Sequence, residues 1–107
     1  MNPETIDRAI EEALREFGPG YTALLDEFAA YLKDPAVDRM RGASLSFRLG
    51  GAHVTLAREK NIDPRSITTP FKLMALVSLK QGDDAQATAA MRDLVFPSVW
   101  DRLMQDD

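Results

Sequence analysis

No cysteine occurs in the 107 residues, and histidine and tryptophan occur once each. Disulfides and thiolate metal centres are therefore excluded, and a reducing compartment is permitted without being required. A zinc site is not expected from a single histidine with no thiol beside it. The residue three positions before His53 is Gly50, so the Glu-x-x-His pairs of a carboxylate di-iron bundle are also missing. Long apolar runs are lacking too: none exceeds the five residues of Leu73 to Val77, against the roughly 20 residues that a bilayer span needs. Residues Met1 to Phe17 are acidic and amphipathic, without the basic flank and continuous apolar stretch of a secretory signal. A soluble cytoplasmic protein is expected, and alanine and arginine usage suits a bacterial, GC-rich source.

Phosphate-cradling loops are missing as well. Gly50 and Gly51 are adjacent, without GxGxxG spacing and without a following lysine and hydroxyl. Gly42, Ala43 and Ser44 open like a nucleophile elbow but lack its second glycine and its strand-to-helix frame. His53 reads as a partly buried, hydrogen-bonded structural residue. No catalytic residue, cofactor, metal or small-molecule substrate is expected, and the chain reads as a non-enzyme.

What is present is hydrophobic material at 45% of residues, enough for one helical domain over 1–107 with a radius of gyration of roughly 13 Å. Asn2 and Pro3 look like a cap and a first-turn proline before Ile6, Ala9, Ile10, Ala13, Leu14 and Phe17, which recur at helical spacing. Gly18, Pro19 and Gly20 interrupt that helix. A second stripe of Tyr21, Leu24, Leu25, Phe28 and Leu32 ends before Asp34 and Pro35. Two helices so closely linked usually pack antiparallel.

The stretch from Pro35 to Asn61 supports two readings. With period two, Leu45, Phe47 and Leu49 alternate with polar residues, and a Gly50–Gly51 turn would face them with Ala52, Val54 and Leu56 in a β-hairpin at 43–58. With helical period, Ala36, Met40, Ala43, Phe47, Gly50, Val54 and Ala57 form one stripe. Leu45, Leu49, Ala52 and Leu56 form a second, as in a central helix buried on two sides. The helix formers Arg58, Glu59 and Lys60, with Asn61 and Ile62 as a left-handed C-terminal cap, favour helix, bent or split at the glycines.

Thr69 and Pro70 repeat the cap-and-proline start of a helix running to Gly82. A further helix from Asp83 or Asp84 to Leu94 and a short one from Pro97 through Trp100 are expected. The pattern of Ala75, Leu79, Gly82, Asp83, Ala87, Met91 and Leu94 resembles one tetratricopeptide unit, although Pro97 comes about two positions early and no second copy is present. The expected architecture is all-α: five or six short helices in a compact bundle of two helical hairpins around a glycine-bent central helix. The alternative is α+β with the hairpin at 43–58.

Charge is strongly partitioned. Residues 1–34, 35–82 and 83–107 carry about −5, +5 and −4, within a net −4. Inside the basic middle, Leu56 to Thr68 resembles a bacterial helix-turn-helix core of the type Leu-Ala-x-x-x-Gly-Ile-Ser-x-x-Thr-Val-Ser. That resemblance implies phosphate contacts from Arg58, Lys60, Arg65 and Lys72. Pro70 opposes it, because it would fall in the middle of a recognition helix at a cost of about 3 kcal/mol. The candidate binding residues are Arg48, Arg58, Lys60, Arg65 and Lys72, with Trp100 as an aromatic anchor; Tyr21 and Tyr31 are further anchors whose plainer reading is core.

Three functions compete. The first is a non-catalytic regulatory or adaptor protein working through protein contacts, as a homodimer or in a hetero-complex. The second is a small DNA-binding regulator using residues 56–72. The third is an acidic inhibitor or immunity-like protein that meets a basic target through Glu4, Asp7, Glu11, Glu12 and Glu16. No membrane partner is expected. Under the first, the basic middle is matched internally by the acidic helices.

Overall fold

The computed structural model of the chain describes residues 2–82. Among them are four α-helices and two short 3-10 turns, with no strand. None of these helices is long and apolar enough to cross a membrane. The helices expected beyond Gly82, the tetratricopeptide-like pairing into Leu94, and Trp100 lie outside the described residues.

Helix α1 (Pro3–Phe17) begins where expected. Asn2 Oδ1 accepts from the Glu4 backbone N–H at 2.9 Å, and Pro3 occupies the first helical position, where its missing donor costs nothing. Its buried residues Ile6, Ala9, Ala13 and Phe17 repeat at three to four. Gly18 ends it at φ 90°, a conformation that favours glycine. Pro19–Tyr21 make a 3-10 turn into α2 (Thr22–Lys33), whose Leu25, Phe28, Tyr31 and Leu32 are buried.

Helix α3 (Arg39–Lys60) runs unbroken through Gly50 and Gly51, so the β-hairpin alternative at 43–58 is not formed. Asp38 Oδ1 caps it from the Arg41 N–H at 3.1 Å, and Asn61, at φ 52° and ψ 50°, closes it in the left-handed region. The Ile62 N–H then bonds back to the Ala57 carbonyl at 3.1 Å, the expected glycine-like C-terminal motif. Pro64–Ser66 form a single 3-10 turn, with Asp63 Oδ1 accepting from the Arg65 N–H at 2.9 Å.

Helix α4 (Thr69–Gln81) starts with Pro70 in its first turn and ends at Gly82, φ 65°. Residues 63–72 are therefore a turn followed by a helix start and do not make one recognition helix. The start differs in detail from expectation, since Thr68 occupies the capping position and its side chain makes no cap bond. A carboxylate from the other end of the chain does that work: Glu16 Oε1, on α1, accepts from the Thr69 N–H at 3.2 Å and the Thr69 hydroxyl at 2.5 Å.

Helix α1 packs on α2 and α4, α2 on α3 and α4, and α3 on α4. One cluster joins Ile6 and Phe17 to Leu25, Phe28 and Tyr31, to Leu45, Leu49 and Leu56, and to Ile67, Leu73 and Leu76. Burying such side chains contributes about 1.5–3 kcal/mol each.

Candidate protein-interaction surface

Of the two apolar stripes of α3, one is in the core and the other lies outside it except at Ala57. Leu45, Leu49 and Leu56 are buried with Gly42, His53 and Ala57. At about 100° per residue, Met40, Phe47 and Val54 point the opposite way, and they are 85%, 84% and 44% exposed. The expectation that both stripes are buried is therefore corrected for the described residues. Between these three lie Ala43, Ser44, Gly51 and Thr55, all exposed, and Gly50, half-buried. The centre line of this face from Met40 to Val54 carries no charged residue, while exposed Arg41 and Arg48 run along one edge and Arg58 follows Val54 by one turn. A solvent-facing strip of a surface helix is ordinarily charged and polar.

The glycines sit at its centre. A Cβ added to Gly50 or Gly51 would meet nothing within 4 Å among the described residues, so no neighbour among them requires either glycine. Gly42 is different, because a Cβ there would stand 2.9 Å from Tyr31 Oη and collide with the Gln81 amide. Gly42 lets α3 approach α2 and α4, while Gly50 and Gly51 leave a notch beside Phe47 on open surface.

The candidate basic residues are dispersed and mostly engaged within the chain. Arg48 pairs with Glu27 of α2 at 2.5 Å. This guanidinium, hydrogen-bonded to the carboxylate, holds Glu27 below the ordinary carboxylate value. Lys60 donates to the Glu16 carbonyl at 3.4 Å. Arg65 pairs with its neighbour Asp63 at 2.8 Å and lowers its pKa in the same way. Lys72 is only 4% exposed and lies 3.9 Å from Glu12. Arg58 is exposed and forms no ion pair among the described residues. Lys72 is thus on no common outer face with Arg58 and Arg65.

Three of the five N-terminal carboxylates are engaged as well: Asp7 with Lys33 at 2.6 Å, Glu12 with Lys72, and Glu16 with Thr69. Tyr31 is fully buried, with Lys80 Nζ 4.2 Å from its ring centroid. Tyr21 packs edge-on against Phe17 at 5.2 Å. His53 is buried, its Nε2–H donating to the Pro64 carbonyl at 2.7 Å and its ring edge-on to Phe71 at 5.2 Å. A groove of about 270 Å³ opens between α3 and α4, lined by Arg39, Ser46, Met74, Ser78 and Gln81 among others. No acid, base and nucleophile converge there.

Comparisons with protein-family models, with curated proteins and with solved structures return no match. Functional inference for this chain rests on its own geometry. The residues that geometry singles out, Met40, Phe47 and Val54, were legible as a seven-residue recurrence. Their outward direction was not.

Proposed function

We propose that this is a non-catalytic regulatory or adaptor protein of a bacterial cytoplasm that acts through protein contacts made by the outward face of α3. One observation carries the proposal: an uncharged strip of Met40, Phe47 and Val54, exposed along a helix whose opposite side is core. An exposed Phe47 leaves unused the roughly 1.5–3 kcal/mol that burial of its ring would contribute, and aromatic residues dominate the energetics of protein interfaces. Internal engagement of Arg48, Lys60 and Lys72 favours this over a phosphate-binding surface. Engagement of Asp7, Glu12 and Glu16 likewise favours it over an acidic inhibitory face on α1.

The test places a photo-crosslinking phenylalanine at position 47 in the source cell, with the same group at exposed Asp26 of α2 as control. A discrete protein adduct at 47 and none at 26 is expected. No adduct at 47, or equal adducts at both, refutes the proposal.

A further inference from the structure

We infer that the Met40 thioether is an oxidation site, at which a peroxide turns the outward face of α3 from a state that makes its protein contact into one that does not. This rests on the protein-contact reading above and adds the chemistry that regulates the same face.

The chain has no cysteine, so its five methionines hold its only sulfur atoms. Two-electron oxidation that falls on thiolates in other proteins has only thioethers to reach here. Among the described residues these are Met40 and Met74. Met40 is 85% exposed near the start of α3, whereas Met74, on α4, is half-buried and packs against the core cluster. Access separates the two, because the oxidant must meet the sulfur lone pair.

Hydrogen peroxide supplies both the oxygen and the oxidising equivalents. The Met40 sulfur attacks one peroxide oxygen, the O–O bond breaks as the S–O bond forms, and the departing hydroxide takes the proton left on the transferred oxygen, giving water. Sulfur loses two electrons and the peroxide gains them. The product is methionine sulfoxide, which sulfoxide reductases return to the thioether at the expense of thiols, so the change is reversible.

The place of Met40 in the fold makes this a switch and not a lesion. It shares the outward line with Phe47 and Val54, and precedes Phe47 by about 10 Å at 1.5 Å per residue. As a thioether it is an adaptable apolar contact. As a sulfoxide it carries an acceptor that costs free energy to bury without a donor, and a partner covering Phe47 meets it at the end of the strip. Within the chain the added oxygen displaces nothing, since Met40 lies outside the core cluster. The same oxygen on Met74 would stand against the core.

The isolated full chain, taken through a graded hydrogen peroxide series and digested for peptide mass spectrometry, should gain one oxygen at Met40 well before Met74. The far-UV spectrum and melting temperature should be unchanged at that stage. In the source cell, a peroxide pulse should lower the adduct formed by the crosslinking group at position 47 by about tenfold, the loss of one good interface contact. In Met40→Leu the adduct, whatever its level in untreated cells, should not respond to peroxide. In Met40→Gln, which sets a polar amide in place of the sulfoxide, it should be low without peroxide.

Oxidation of Met74 as fast as Met40, or unfolding when Met40 alone is oxidised, overturns the inference. So does an adduct at 47 that ignores peroxide, or one that falls equally in Met40→Leu; in those cases the protein-contact reading stands and only its regulation is wrong. No adduct at 47 in untreated cells refutes that reading, and the switch falls with it.

Discussion

Replacing Gly50 or Gly51 by alanine should make the monomer more stable, whereas the same replacement at Gly42 should make it less so. All three glycines lie inside α3, so each gains about 1 kcal/mol of intrinsic helix stability from alanine. No described residue offsets the gain at Gly50 and Gly51, where the new methyl would have no described neighbour within 4 Å. At Gly42 the methyl falls 2.9 Å from Tyr31 Oη and 3.2 Å from Tyr31 Cζ. Tyr31 is fully buried, and its hydroxyl accepts from Gln81 Nε2 at 3.0 Å. Gln81 can swing aside, but the ring cannot, and overpacking of this kind costs typically 1–3 kcal/mol. The net effect is a loss of up to about 2 kcal/mol.

Urea denaturation at about 1 µM should therefore give stabilisation of about 0.5–1 kcal/mol for Gly50→Ala and for Gly51→Ala. For a domain of this size each kcal/mol moves the melting temperature by roughly 4–8 °C. Destabilisation at 1 µM by alanine at 50 or 51 would mean that a neighbour within the fold needs those glycines. A stabilising Gly42→Ala would refute the contact with Tyr31.

Glu16→Ala should cost about 1–2 kcal/mol, because a charged cap of α4 is lost. Glu16→Gln, which keeps an acceptor, should recover part of it, and equal losses in the two variants would refute the cap. Lys80→Met should destabilise by a similar 1–2 kcal/mol, since the Lys80 amino group donates to the Tyr31 and Asp34 carbonyls at the end of α2. Amide exchange should quicken in the last turn of α2, and unchanged exchange would count against it. Glu27 has its pKa held below the ordinary 4.5 by Arg48, so its pairing contributes stability above that value and loses it as pH falls through the lower folded value. The melting-temperature gap between the native chain and Arg48→Met should be small at pH 7, as for any exposed pair, and should close as pH falls below 4.5 through the lowered value. A gap constant with pH would show that Arg48 acts by other means.

The helix termini were readable because their causes are local. Asn2 with Pro3, Asn61, and Pro70 with Gly82 each impose a backbone conformation or a missing donor within a few residues. The hairpin ambiguity at 43–58 arose because Leu45 and Leu49 share a face under both periods. Phe47 discriminates, as Val54 does against Leu56: it lies with them in a strand and opposite them in a helix. Its exposure beside a buried Leu45 and Leu49 is the helical answer. The Glu16 cap on Thr69 joins residues 53 apart, and no local pattern announces it.

Charge followed the same division. That residues 35–82 are basic and residues 1–34 acidic is plain in the chain. Which groups meet, as Arg48 meets Glu27 and Lys72 approaches Glu12, depends on the order in which helices pack. The helix-turn-helix resemblance failed structurally at Pro70, which starts α4 where a recognition helix would need to continue.

By itself the sequence determined an all-α chain over its described part, because propensity, caps and prolines act over one or two turns. It also determined that α3 would carry two apolar stripes. Only tertiary structure decided which stripe is core, because α2 and α4 cover one side of α3 and leave Met40, Phe47 and Val54 outside. Packing likewise separated a glycine that a neighbour requires, Gly42, from two that no neighbour among the described residues explains. Burial is a property of which helices meet, and that information is spread over the whole chain.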